Sequence, residues 1–266
     1  MSHPITFAIL GDSVATGVGD YDPYGRPRGW CFHLASAFSQ PINLIQVARS
    51  GAQSSEVKEI QLPRVLAYKP DIAALVVGGN DLLRNGFSPR KLYENLGETI
   101  AEFKALGTEV LMLQLHDPTQ IVPLPRLLAR VLRRRVEAVN QVYEKLVAEH
   151  QLVFLRTRTL PDIYQRHLWH FDRMHPSAYG HLILAKNFRD LLALRGWIME
   201  DLDLPQISYP KPFERISWML RNGTPWFVKR SFDLLPAALI LIFMEGLRVC
   251  IFAVSQLLKR IKNRIR

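Results

Sequence analysis

Cysteine is scarce in this chain of 266 residues: Cys31 and Cys250 are the two present. They are too few and too far apart for a disulfide framework or a thiolate metal site. Both sit in apolar, helix-like surroundings and are expected to be small buried hydrophobes. A secretory leader is not expected either, because Met1-Ser2-His3-Pro4 runs straight into an apolar strand without a basic n-region, a long h-region or a small-residue cleavage site. The N-terminal part is therefore expected in the cytoplasm. Neither a Gly-x-Gly-x-x-Gly fingerprint nor a Gly-Lys-Ser/Thr phosphate loop occurs, so Gly11, Gly17 and Gly19 do not make a nucleotide cradle. Internal repeats and low-complexity tracts are absent as well.

Uncompensated charge is missing from most of the chain. The formal net charge is +10, yet residues 205–266 hold 11 Lys+Arg against 3 Asp+Glu, and the other 204 residues hold 23 against 21. The basic character belongs to the tail, which speaks for an anionic membrane surface and against nucleic acid. The run Arg133-Arg134-Arg135 falls within a long amphipathic pattern and reads as a solvated face.

What is present is an α/β alternation. Short apolar runs over Ile5–Leu10, Ile42–Val47, Ile72–Val77, Val110–Leu115 and Leu152–Leu155 read as strands. Between and after them Trp30–Phe38, Ser55–Tyr68, Pro89–Leu106, Pro125–His150 and Ser177–Leu194 have helical spacing or helix-start chemistry. Ser88 before Pro89, and Ser177 after Pro176, are placed to cap helices. These units predict a doubly wound, mainly five-stranded parallel sheet flanked by helices, of flavodoxin-like type, with a C-terminal helical appendage. Residues 1–200 form the expected catalytic domain, 201–232 a Pro- and Trp-containing linker with short helices, and 233–266 an apolar and then basic helix. In such sheets ligands bind beyond the carboxyl ends of strands, where Ser13, Gly79, Asn80 and His116-Asp117 fall.

Gly11-Asp12-Ser13 follows the first strand directly, where a sharp turn lifts a hydroxyl clear of the sheet edge. A serine nucleophile needs a base, and Asp172-Arg173-Met174-His175 supplies an imidazole with a carboxylate three residues earlier to fix its tautomer. Donors for an oxyanion are available at the Gly51 N–H, after the second strand, and at the Asn80 amide in Gly78-Gly79-Asn80-Asp81, after the third. Asp12 is read as turn-stabilising. His116-Asp117 is read as pocket lining, since adjacent side chains on extended chain point opposite ways. His167, His170, His175 and His181 lack metal-site spacing, so no metal and no cofactor is expected.

Taken in order, Ser13, Gly51, Asn80 and His175 resemble the SGNH (GDSL-like) hydrolase family, with Gly29-Trp30 and His175-Pro176-Ser177-x-x-Gly180-His181 adding to the likeness. The resemblance covers about residues 5–194 and leaves out the tail. It implies a serine hydrolase of esters or thioesters, with Ser13 as nucleophile, His175 as base, Asp172 as its orienting partner, and Ser13 N–H, Gly51 N–H and the Asn80 side chain as oxyanion hole. An α/β-hydrolase would instead place Gly-x-Ser-x-Gly in mid-chain. The non-enzymatic alternative is a membrane-recruited binding or scaffold protein with a degenerate hydrolase fold.

The tail is long enough over Leu234–Val254 to span a bilayer, but Glu245 and Arg248 interrupt it. Its twelve Leu, Ile, Phe and Val residues contribute roughly −4 to −7 kcal/mol, against roughly +5 to +7 for the two charges. Glu245, Arg248, Gln256, Lys259 and Asn263 suggest a polar stripe opposite an apolar face, the pattern of an interfacial helix. A single transmembrane anchor, and a helix packed on the hydrolase or within a homo-oligomer, are the alternatives.

Overall fold

A computed structural model describes residues 4–205 and, between 239 and 255, positions 239, 240, 243, 244, 246–248, 250, 251, 254 and 255, which are helical. The expected linker beyond residue 205, and the terminal basic run, lie outside the described residues. Strands β1 (Ile5–Gly11), β2 (Ile42–Gln46), β3 (Ile72–Val76), β4 (Glu109–Leu113) and β5 (Val153–Leu155) form one sheet in the order β2-β1-β3-β4-β5. Every neighbouring pair is parallel. The helices are α1 (Ser13–Thr16), α2 (Gly29–Ser36), α3 (Ser54–Glu56), α4 (Leu62–Leu66), α5 (Gly79–Leu82), α6 (Pro89–Ala105), α7 (Arg126–His150) and α8 (Ala178–Ala193).

Central β1 is buried at all of its positions, as a strand covered on both faces must be. Phe7 and Ile9 pack with Trp30, Leu34 and Phe188 beneath α2 and α8. Ala8 and Leu10 turn to the opposite face and pack with Val57, Leu96 and Val139. The chain winds from β1 to β2 on one side and returns to β3 on the other, so the crevice lies between the carboxyl ends of β1 and β3. Ser88 and Ser177 cap α6 and α8, accepting from the Lys91 and Gly180 amides at 3.3 and 3.1 Å.

Two buried amides act as short extra strand partners at this edge. Gln61 accepts from Gly11 N–H at 2.7 Å and donates to Gly11 C=O at 3.0 Å. Asn140 does the same for Leu115, at 2.9 Å both ways. The first of these explains a departure from expectation. The helix expected over 55–68 is broken by a π-helical segment, Val57–Gln61, between α3 and α4, and the wider turn brings the Gln61 side chain inward to Gly11.

Helix α7 runs back from the carboxyl edge. Tyr143 reaches the Val77 carbonyl at 2.5 Å, so residue 143 is level with the strand ends. Fourteen residues of α7, 126–139, precede Asn140, an overhang of about 20 Å of helix N-terminal to the Leu115 contact at 1.5 Å per residue. One expectation is corrected here: Cys31 is buried, but Cys250 is exposed, because its neighbours on the tail helix also face outward.

Candidate active site

The turn into Ser13 depends on Gly11. Its φ is +131°, and a Cβ there would stand 1.9 Å from the Val76 carbonyl oxygen, so only glycine fits between β1 and β3. Asp12 then caps α1, its carboxylate accepting from Val14 N–H at 3.0 Å, which holds Ser13 at the first position of a one-turn helix. Burial pushes the Asp12 carboxyl up to about 6, against the opposing pull of the Val14 amide. Asp12 thus stabilises the turn.

Asp172 and His175 come from a tight loop closed by an antiparallel bridge between Trp169 and Pro176. Arg173 adopts a left-handed φ of +58° at its tip, which folds Asp172 back on the following backbone. One carboxylate oxygen accepts from the amides of Met174 and His175, at 2.9 and 3.1 Å. The other lies 2.7 Å from His175 Nδ1. On the far side of the ring, His175 Nε2 lies 2.7 Å from Ser13 Oγ. Burial works to raise the Asp172 carboxyl, but the imidazoles of His170 and His175 and the Met174 amide outweigh it and hold it well below the usual carboxylate range. Asp172 is therefore an acceptor, Nδ1 carries the ring proton, and Nε2 is left to accept from the serine hydroxyl.

The sequence reading weighs His170 only as a metal ligand and gives it no part beside Asp172. Its Nδ1 lies 3.3 Å from the same Asp172 oxygen, a second imidazole against the carboxylate. Its position two residues before Asp172 was the available signal. His181 has a different role: its Nδ1 accepts from Trp30 N–H at 3.2 Å and its Nε2 donates to the Val18 carbonyl at 3.0 Å. Burial lowers this imidazole to about 4, so it is a neutral tie between α8 and the loop after Ser13.

Asn80 begins the turn after β3, its amide 3.1 Å from the Ala52 carbonyl and 3.5 Å from an Asp12 oxygen. The adjoining Asp81 fixes the facing segment by accepting from Ser54 N–H at 3.1 Å and from its hydroxyl at 2.5 Å. Asn95 in turn donates to that hydroxyl. Gly51 sits at a φ of +87° in the turn closed by Ala52 N–H on Arg49 C=O.

These groups meet at a cavity of about 360 Å³ whose wall includes Ser13, Asn80 and His175. Asp172 stands behind His175, and Gly51 lies outside the residues that line the cavity. His116 lines it, as expected, its ring tilted at 48° against Trp169 with centroids 4.1 Å apart, and burial takes its imidazole down to about 3. Asp117 turns away and accepts from the Thr119 amide and hydroxyl. Arg135 corrects the expectation of a solvated arginine run. It is half-buried on the cavity wall and donates to the Leu82 and Arg84 carbonyls at 2.6 and 2.7 Å, because position 135 lies on the inner face of α7, whereas Arg133 and Arg134 are exposed.

A 2-1-3-4-5 parallel sheet carrying hydrogen-bonded serine, histidine and aspartate at its carboxyl edge is the arrangement of an SGNH hydrolase, an enzyme acting on ester bonds. The chain belongs to the GDSL-like Lipase/Acylhydrolase family, whose model matches residues 9–183. It is 28% identical to Thioesterase 1/protease 1/lysophospholipase L1 of Escherichia coli (strain K12) over 182 residues, which cover 68% of this chain and 79% of that one. It is 29% identical to an arylesterase of Vibrio mimicus over 176 residues, 64% of this chain and 78% of the relative. Among solved structures, the crystal structure of TesA superposes with a TM-score of 0.54 at 25% identity, covering 70% of this chain and 97% of that one.

Proposed function

We propose that the protein hydrolyses carboxylic esters or thioesters of lipid-like or acylated small molecules through a covalent acyl-enzyme on Ser13. The observation that carries this reading is the in-line contact of Ser13 Oγ, His175 and Asp172 opening onto a cavity with mostly aliphatic walls. Ser13 Oγ attacks the acyl carbonyl as Nε2 takes its proton. The imidazolium, stabilised by Asp172, then returns the proton to the leaving alcohol or thiol. Water activated by the same ring releases the acid. The relatives named as thioesterase, lysophospholipase and arylesterase support this chemistry.

Asn80 is assigned to the oxyanion. Charge developing on the carbonyl oxygen would draw its amide away from the weak 3.5 Å contact with Asp12. Asn80→Ala is expected to lower kcat about 10²- to 10³-fold with KM little changed, measured on p-nitrophenyl esters. An unchanged kcat would remove Asn80 from the oxyanion hole. Gly51 N–H is assigned as a further donor on the family resemblance, and Ser13 N–H as another.

The tail is assigned to an anionic membrane surface on the cytoplasmic side, through residues 233–266. Leu239, Phe243, Leu247, Ile251 and Val254 recur at helical spacing and are exposed, and the segment around them is basic. Among the described residues no helix is long and apolar enough to cross a membrane. The full chain should float with anionic liposomes and a version ending at residue 205 should not. Equal behaviour of the two would defeat this assignment.

A further inference from the structure

We propose that the overhang of α7 is an acyl-length ruler, which selects medium-length unbranched acyl chains of about ten to twelve carbons over acetyl. The inference rests on the acyl-ester reading above and specifies the acyl group. The aliphatic lining of the cavity includes Leu124, Leu128, Val131 and Leu132, together with Leu82 and Leu83 from α5 and its end. Leu128, Val131 and Leu132 belong to the α7 overhang and Leu124 to the turn before it, so this part of the cavity depends on α7 beginning about 20 Å of helix before the Asn140 contact with Leu115.

The chemistry of the walls narrows the occupant. The acidic and basic side chains that line the cavity, histidines apart, are Asp12, beside Ser13, and Arg135. Asp12 already accepts from Val14 N–H, and one Arg135 nitrogen already serves two carbonyls. A sugar or other polar acyl partner would leave its hydroxyls against leucine and valine, which is costly. An alkyl chain needs no partner. At roughly 30 Å³ per methylene-sized group, taken from the volume share of a water, a cavity of 360 Å³ holds on the order of twelve. Each methylene withdrawn from water is worth about fourfold in kcat/KM until the cavity is full.

The test uses the full chain in detergent with p-nitrophenyl esters from acetyl to palmitoyl, comparing wild type with Leu128→Trp and Leu132→Ala, each checked for folding by thermal denaturation. Leu128 is half-buried, so the indole can enter the cavity without rebuilding the core. In wild type kcat/KM should climb to a maximum near decanoyl or dodecanoyl. Leu128→Trp should lower the dodecanoyl-to-acetyl ratio by about 15-fold, the equivalent of two methylenes. Leu132→Ala should move the maximum to longer chains, which keeps the test decisive if the tryptophan variant fails to fold. A Ser13-dependent rate with a flat chain-length profile, or a profile that neither variant moves, would overturn the ruler and leave ester hydrolysis standing. Absence of Ser13-dependent turnover on every ester would defeat the acyl-ester reading itself, and the ruler with it.

Discussion

Replacing Ser13 by alanine is expected to lower ester turnover on the order of 10⁶-fold while leaving the thermal unfolding midpoint within a few degrees of wild type. The fold does not lean on this hydroxyl. Asp12 supplies the cap of α1, and Thr16 Oγ1 bonds the Ser13 carbonyl, which survives the substitution. What is lost is the atom 2.7 Å from His175 Nε2. Without it the ring can activate only a water, and the route through an acyl-enzyme closes. Binding and the oxyanion donors remain, so the residual rate should still exceed the uncatalysed one. Initial rates on a p-nitrophenyl ester read the effect, and labelling by a fluorophosphonate should disappear in parallel. Wild-type turnover in the alanine protein would refute the assignment of Ser13.

Asp172→Asn should cost about 10⁴ in kcat. The substitution keeps one oxygen, which can go on accepting from Met174 and His175 N–H and so preserve the loop. It places an amide NH₂ where the other oxygen now faces His175 Nδ1 at 2.7 Å. Two donors cannot face each other, so the ring changes tautomer: Nδ1 becomes the acceptor and Nε2 carries the proton. Nε2 then points a hydrogen at Ser13 and has no lone pair to take one. The 3.3 Å contact with His170 Nδ1 adds a second position at which the carboxylate charge is lost. The measurement is kcat at fixed, saturating substrate beside the melting curve. An unchanged kcat would make Asp172 a loop-holding residue only.

Much of this arrangement is legible along the chain because it follows from local rules. β1 and β3 are apolar at successive positions since both faces are covered, and their ends are marked by glycine turns that sheet packing demands. The Asp172 to His175 spacing is legible because one short loop carries both groups. Other features come from tertiary contacts that no window of sequence contains. The π-helical segment Val57–Gln61 looks like ordinary helix until Gln61 is seen to bond Gly11, fifty residues away. α1 and α5 have four residues each, too few for a periodicity to register. Arg135 reads as surface in an arginine run, and only the overhang of α7 shows that it faces the cavity. The cavity itself is formed by segments that meet after folding, and nothing in Leu128 or Val131 alone announces it. Gly51 follows β2 as its motif requires, yet the cavity wall does not include it.

Ser13 and His175 are separated by 162 residues, with Ser13 near the first strand and His175 immediately before the last helix of the sheet domain. At about 5–20 residues per second, a ribosome carries the growing chain for roughly 8 to 30 seconds between the two. Throughout that interval the nascent polypeptide carries Ser13 without His175, and all five strands, the last ending at Leu155, are made before the two can pair. Chains that end before His175 would lack the proposed base, so early termination of translation is expected to yield waste and not stray hydrolytic activity.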